Sequence, residues 1–241
     1  VIDVERRGPV AVVTLNRPER RNAVDASACL ELAAAVTDSV HGGARAIVLR
    51  GAGTNFCAGA DLKAMEDAGF ADVLRVALAS LRDAPVVTMA AVHGAALGAG
   101  TQLAIACDLR VVAADARFGI PAAKLGLMVD HWTVQRVALL AGYGPARAVL
   151  LACEEIGAPA ALSLGLANRS GSFDDALAWA SEIASLAPLT IAGHKLALNR
   201  LEPSIDDPDV AAAFRRAWSS SDLAEGRAAF AEKRPPTFTG R

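Results

Sequence analysis

Pro85–Asp108 reads PVVTMAAVHGAALGAGTQLAIACD, and the fold is read outward from it. An apolar, β-rich run, Val86–Val92, ends at His93-Gly94. Small residues follow (Ala95, Ala96, Gly98, Ala99, Gly100), and then an apolar segment, Thr101–Cys107, with helical character. A strand that breaks through glycines into a helix leaves the first backbone N–H groups of that helix without intrahelical acceptors, with the positive end of its dipole behind them. Small side chains let a ligand reach those groups, which is the layout of an anion or oxyanion site. The same pattern also suits a tightly packed strand–helix turn that binds nothing. It is not a dinucleotide fingerprint, because Gly98-Ala99-Gly100 lacks a third glycine at the required spacing.

Upstream, Ile2–Val4 and Val10–Leu15 are β-rich runs split by Gly8-Pro9, which predicts a hairpin. Asp25 is placed to cap a helix reaching about Val40, with Leu30, Leu32, Ala33 and Val36 as its apolar face. Ala46–Leu49 reads as a buried strand, and Phe56–Asp61, FCAGAD, as a second small-residue turn. Asp72–Leu81 reads as a helix with Val73, Val76 and Leu81 inward. Downstream, Leu109–Ala113 is a strand, Phe118–Pro121 a loop, and Asp130 the cap of a helix to about Leu140. Helices then follow at Pro145–Leu151, Ala158–Gly165, Asp174–Leu186, Leu189–Leu201 and Val210–Ser219, with a short strand at Leu166–Asn168. Asp222 and Glu225 have the spacing of a capping box at the start of the last helix. An alternating first half and a helical second half predict a layered α/β core followed by a helical region.

The 241 residues are 53% hydrophobic with a formal net charge of −2, enough for a large core and without the basic excess that nucleic acid binding needs. No unbroken apolar run is long enough to span a bilayer, and no basic segment precedes an apolar one at the N-terminus, so neither a membrane span nor a secretory signal is expected. Cys29, Cys57, Cys107 and Cys153 lack metal-ligand spacing and read as free thiols of a cytoplasmic protein; no metal site is expected.

Five stretches, NRPERRNAV (16–24), RAIVLRGAGTNFCAGADL (45–62), APVVTMAAVHGAALGAG (84–100), CDLRVVAADARFGIP (107–121) and AEGRAAFAEKRPPTFTGR (224–241), together give the chain an end-to-end resemblance to the crotonase (enoyl-CoA hydratase/isomerase) superfamily. The resemblance implies a ClpP/crotonase-like α/β fold: a ββα spiral core over 1–185 and a C-terminal helical trimerisation region over 186–241. It implies a homotrimer or dimer of trimers that takes fatty acyl-CoA as ligand or substrate without a further cofactor. It assigns the oxyanion hole to the amides of Ala60 and Ala99, each donor of such a pair contributing about 3–4 kcal/mol toward a developing enolate. It lays CoA along Arg17–Ala23 and Ala58–Leu62, with Arg20, Arg21, Ala23, Ala58, Asp61 and Leu62 beside it. Arg20 and Arg21 then contact phosphates or are solvated surface charges. Phe230 and Lys233 match positions that reach the CoA of a neighbouring subunit. Met65–Gly69 reads as a candidate lid, and Met65, Phe70, Leu74 and Trp132 as acyl-tunnel residues.

The chain also departs from that family. The two hydratase glutamates fall at Gln102 and Ala122, which become acyl-pocket wall together with Trp132. A carboxamide can hold a water but cannot exchange a proton, and each acid or base contributes about 10²–10⁴-fold, so negligible hydration is expected. Asp130 is the one ionisable group at a position where some relatives carry a catalytic aspartate, with His131 beside it. The alternatives are a helix cap for Asp130 and a rim residue for His131. DLRVVAADARFGIP and LGLMVDHWTVQRV further resemble a mycobacterial subgroup of mycolic-acid biosynthesis that binds acyl-CoA and serves a fatty-acid elongation enzyme. Three readings follow: an acyl-CoA carrier, an isomerase, lyase or hydrolase using Asp130, and an ordinary enoyl-CoA hydratase.

Overall fold

Val10–Leu15 and Ala46–Leu49 are apolar at nearly every position, as strands covered on both faces must be. In the computed structural model they are adjacent and parallel. The structure describes residues 1–61, 69–201 and 207–240. Leu62 and most of the candidate lid, Met65 included, lie outside the described residues. The chain forms two compact units, Val1–Phe118 with Ile156–Leu201, and Gly119–Glu155 with Glu202–Arg241.

In chain order the elements are β1 (Ile2–Arg7), β2 (Val10–Leu15), α1 (Ala26–His41), β3 (Ala46–Gly51), α2 (Phe70–Asp83), β4 (Val87–Val92), β5 (Ala95–Leu97), α3 (Ala99–Ala106), β6 (Leu109–Val112), β7 (Arg117–Gly119), α4 (His131–Ala141), α5 (Tyr143–Leu151), β8 (Ile156–Gly157), α6 (Ala158–Leu164), β9 (Arg169–Ser170), α7 (Phe173–Ala184), α8 (Pro188–Asn199), α9 (Pro208–Trp218) and α10 (Ser221–Glu232). The first unit holds a sheet in the order β1-β2-β3-β4-β6-β9, antiparallel only at the β1–β2 hairpin, and a smaller sheet β5-β7-β8. One face of the large sheet presents Val10, Ala46, Val48, Met89, Ala91 and Val111 to Ala176, Ala180 and Ala184 of α7. Alanines every four residues form a flat stripe that lets α7 lie close to the strands. Fully buried side chains such as Met89 and Val48 each contribute about 1.5–3 kcal/mol to this core.

Asp25 caps α1 as expected, its Oδ1 accepting from Ala28 N at 2.9 Å. Other expectations need correcting. Leu30 and Val76 are half-exposed, because the buried positions of α1 (Ala28, Leu32, Ala35, Val36) and α2 (Leu74, Ala77, Leu78, Leu81) place both on the opposite side of their helices. The short strand falls at Arg169–Ser170 rather than 166–168. The expected loop at Phe118–Pro121 pairs partly as β7 and then turns into a 3-10 segment, Pro121–Leu125. The last helix is capped by Ser220, whose Oγ accepts from Leu223 N, while Asp222 is used elsewhere.

Where β4 begins, one lysine closes the first unit. Lys195 of α8 is buried, and its Nζ donates to Leu81 O (3.1 Å), Val86 O (3.0 Å) and Asp108 Oδ2 (2.7 Å). Asp108 Oδ2 also accepts from the Thr88 amide (2.7 Å) and hydroxyl (3.0 Å). The network ties α8 to the end of α2 and to the start of β4 and β6. Lys195→Met strips the cation from a carboxylate that keeps only the Thr88 donors, so stability falls by about 3–5 kcal/mol, measured by urea unfolding. An unchanged midpoint would show that the network holds nothing together.

Candidate functional site

The site is built from main chain, and a buried asparagine sets it up. Arg21 and Asn22 both take left-handed backbone (φ 52° and 57°), which asparagine tolerates better than most residues. The Asn22 amide nitrogen donates to Ala52 O (2.8 Å) and Asn55 O (2.7 Å), and its oxygen accepts from Arg17 N (3.0 Å). This braces the loop after β2 against the turn after β3. Three main-chain bonds extend the seam: Ala58 N to Arg21 O (2.9 Å), Val24 N to Gly59 O (2.9 Å) and Asp61 N to Val24 O (2.8 Å). With Gly59 O and Asp61 N facing Val24, extended-chain alternation directs the Ala60 N–H the other way.

That other side faces the turn after β4. Cys57 N donates to Ala95 O (2.9 Å) and Leu97 N to Cys57 O (2.9 Å). A Cβ on Gly100 would sit 2.1 Å from Cys57 O, and one on Gly98 would sit 3.8 Å from Gly59 Cα. The two turns therefore meet backbone to backbone, which a side chain at Gly100 would prevent. Gly98 also has φ +52°, so its freedom is needed conformationally. Ala99 opens α3, and Gln102 N is the donor that takes Gly98 O (3.1 Å). Among the described residues neither the Ala60 nor the Ala99 amide has an acceptor. Two N–H groups on adjoining turns, one of them at a helix N-terminus, are thus left available to an acceptor from outside the chain.

The far end of α3 is closed. Buried Arg110 donates to Cys107 O (2.7 Å), Ala104 O (3.4 Å), Asp108 O (3.2 Å) and Leu166 O, so the orphan carbonyls there are satisfied by a cation. Gln102, three residues after Ala99, is 6% exposed. Cys57 supplies no nucleophile: burial pushes its thiol up to about 12, and Cys29 and Cys107 likewise.

Beside the turns, exposed Arg20 donates to Asp61 Oδ2 (3.0 Å), and Arg17 bridges Asp25 (2.8 Å) and Asp61 (3.6 Å). Arg21 is exposed. The first unit thus places Arg20, Arg21 and Ala23 on the loop after β2, Ala58, Ala60 and Asp61 on the turn beside it, and Ala99 and Gln102 on α3. Asn22 and Arg110, which hold this arrangement, were not legible as site residues; an asparagine inside a turn-rich NRPERRNAV is the one local signal that existed.

The second unit carries the other candidates. Ala122 lies in the 3-10 segment Pro121–Leu125 and is partly buried. Asp130 caps α4, its Oδ1 accepting from Thr133 N at 3.1 Å. His131 Nε2 is 3.0 Å from Gln135 Nε2 one turn on, and Trp132 is buried. α10 packs directly on the 3-10 segment: a Cβ at Gly226 would lie 2.5 Å from Leu125 O. Phe230 and Lys233 are exposed at the end of α10. The tail beyond them folds back, with Arg234 forked onto Glu225 (2.6 and 2.9 Å) and Thr237 N on Glu225 (2.8 Å).

Comparison with known proteins follows the same lines. The enoyl-CoA hydratase/isomerase family model matches residues 5–241. The chain is 46% identical over 245 residues to a Mycobacterium tuberculosis protein named probable enoyl-CoA hydratase echA6, covering 100% of both. It is 33% identical to the short-chain-enoyl-CoA hydratase of Clostridium acetobutylicum, covering 96% of this chain and 94% of that one. A solved methylmalonyl-CoA decarboxylase, bound to 2-nitronate-propionyl-CoA, superimposes with a TM-score of 0.91 at 26% identity, covering 100% of this chain and 98% of that one.

Asn22→Ala removes three hydrogen bonds from a buried turn and lowers stability by about 3 kcal/mol, read by chemical denaturation; a loss below a few tenths would mean that the turns hold each other without it. The Arg234 guanidinium holds the Glu225 carboxyl down at about 2 from its ordinary 4.5. Since the folded value is the lower one, the ionic advantage of the docked tail is complete above the ordinary value and disappears as pH falls toward about 2. Hydrogen exchange at the Thr237 amide is therefore expected to keep its protection at pH 5 and to lose it progressively on acidification below about 4; protection lost already near neutrality would contradict the pairing.

Proposed function

Because the chain belongs to the enoyl-CoA hydratase/isomerase family of the crotonase superfamily, we propose that it binds fatty acyl-CoA thioesters and polarises them without hydrating them. The observation that carries this is the pair of acceptorless amides, Ala60 and Ala99, on adjoining main-chain turns. A thioester carbonyl oxygen seated there accepts two fixed hydrogen bonds, which strengthen as negative charge develops on it. Arg20 and Arg21, exposed beside the same turns, suit the CoA phosphates, with Ala23, Ala58 and Asp61 along its path.

Hydration needs more than this. Water must be activated at Cβ and a proton delivered at Cα. At the positions that correspond to the two hydratase glutamates stand Gln102, whose carboxamide exchanges no proton, and Ala122. Asp130 spends one carboxylate oxygen on the cap of α4, which supports a positional role for it and a rim role for His131. Gln102 then serves as acyl-pocket wall. On this reading the protein is a carrier of acyl chains in fatty-acid and mycolic-acid metabolism, handing them to a fatty-acid elongation enzyme.

The leucines that α8 and its flanks leave to solvent, Leu189 at 86% and Leu201 at 77% exposure, support burial of this region between copies in a homotrimer or dimer of trimers. In that assembly Phe230 and Lys233 reach the CoA held by a neighbour.

A second reading draws on the decarboxylase likeness. A 2-carboxyacyl-CoA breaks its own C–CO2 bond; the electron pair passes into the thioester, the two amides hold the enolate oxygen, and water protonates Cα. No glutamate is required.

The test is incubation with crotonyl-, decenoyl- and hexadecenoyl-CoA and with methylmalonyl-CoA, with products read by mass and retention by equilibrium dialysis. The carrier reading expects no water adduct and tighter retention as the chain lengthens, up to about 0.8 kcal/mol per buried methylene. Flat affinity, or an efficient water adduct, would overturn it. Loss of CO2 from methylmalonyl-CoA would select the second reading.

A further inference from the structure

Helix α10 ends in a Schellman turn: Arg234 N donates to Ala229 O (3.0 Å), and Lys233 occupies the left-handed position at φ 56°. Glycine is the usual residue there, because it alone enters that region without steric cost. The chain instead places a long, exposed cationic side chain at a strained position. The nearby carboxylates leave Lys233 uncompensated, since each is committed elsewhere. Glu225 accepts the Arg234 fork and Thr237 N. Glu232 accepts Arg234 Nε at 2.6 Å. Asp222 accepts Thr239 N (2.7 Å) and Gly240 N (2.9 Å). Asp222 and Glu225 lie three residues apart, so both project from one face of α10 and grip successive points of the returning tail.

We infer that Asp222 and Glu225 act as a clamp that holds the tail Arg234–Gly240 and thereby presents Lys233 in its left-handed turn as a reader of the CoA phosphates. The inference rests on the acyl-CoA reading above and adds the positioning residues of its distal subsite. Arg234 connects the two roles: it follows Lys233 directly, and its bidentate bond to Glu225 fixes the backbone on the lysine's C-terminal side. Without that bond the turn is free to relax to right-handed backbone and carry the ammonium elsewhere.

The experiment is calorimetric titration of the full chain with CoA and with decanoyl-CoA at two salt concentrations, for wild type, Glu225→Gln, Lys233→Ala and the double variant, with thermal unfolding recorded for each. Glu225→Gln is expected to weaken binding about tenfold, comparably to Lys233→Ala, and to flatten its salt dependence as Lys233→Ala does. The double variant is expected to bind no more weakly than Lys233→Ala alone, because the clamp acts only through the lysine. Additive losses, or a Glu225→Gln variant that binds and responds to salt like wild type, would overturn the clamp while leaving the acyl-CoA reading in place. Wild type that takes up neither CoA nor decanoyl-CoA would overturn the acyl-CoA reading and the clamp with it.

Discussion

The approach of one backbone turn to another, Cys57–Ala60 against Leu97–Gly100, is the constraint on which the rest depends. Gly100 admits the Cys57 carbonyl where any Cβ would stand 2.1 Å from it. The bonds Cys57 N to Ala95 O and Leu97 N to Cys57 O fix the register of that approach. Once the turns are seated, alternation along 59–61 and the start of α3 leave two N–H groups unused. No side chain has to be aimed for the donors to exist. Asn22 acts earlier in the same logic, holding the loop after β2 so that Val24 can take both partners of the 59–61 segment.

Rigidity comes from the elements behind the turns. α3 is buried along its whole length, open at its N-terminus and closed at its C-terminus by the Arg110 guanidinium. β4 is anchored where it begins by Lys195, Asp108 and Thr88, and leads directly into the turn where it ends. Donors mounted this way need little reorganisation when charge appears in front of them, which is what makes a fixed hydrogen-bond pair effective in a dry site.

Much of this was legible in the sequence. The glycine and alanine pattern of HGAALGAG announced a close backbone approach, and Asp25 and Asp130 announced their helices. The strands of the parallel sheet read as unbroken apolar runs because both faces are covered. What failed did so for identifiable reasons. Leu30 and Val76 were assigned inward on residue type, whereas the small residues Ala28, Ala35 and Ala77 form much of the contact faces. Asp222 had capping-box spacing, but Ser220 stands closer to the helix start and the carboxylate was drawn off by tail amides more than fifteen residues away. Nothing in the sequence singles out Arg110 or Lys195, because no local pattern marks an acceptor that arrives from the far end of another helix or from a loop some fifty residues on.

A pair of donors made of main chain also shapes how such a sequence can drift. Ala60 and Ala99 contribute peptide N–H groups that every amino acid except proline possesses, so the donors survive most substitutions that the space allows. Positions such as Gln102 and Ala122 carry no such protection, since whatever each does it does through its side chain, and that chemistry changes in a single step. A lineage built on this scaffold is therefore free to exchange the side-chain chemistry around these turns while the main-chain donors persist.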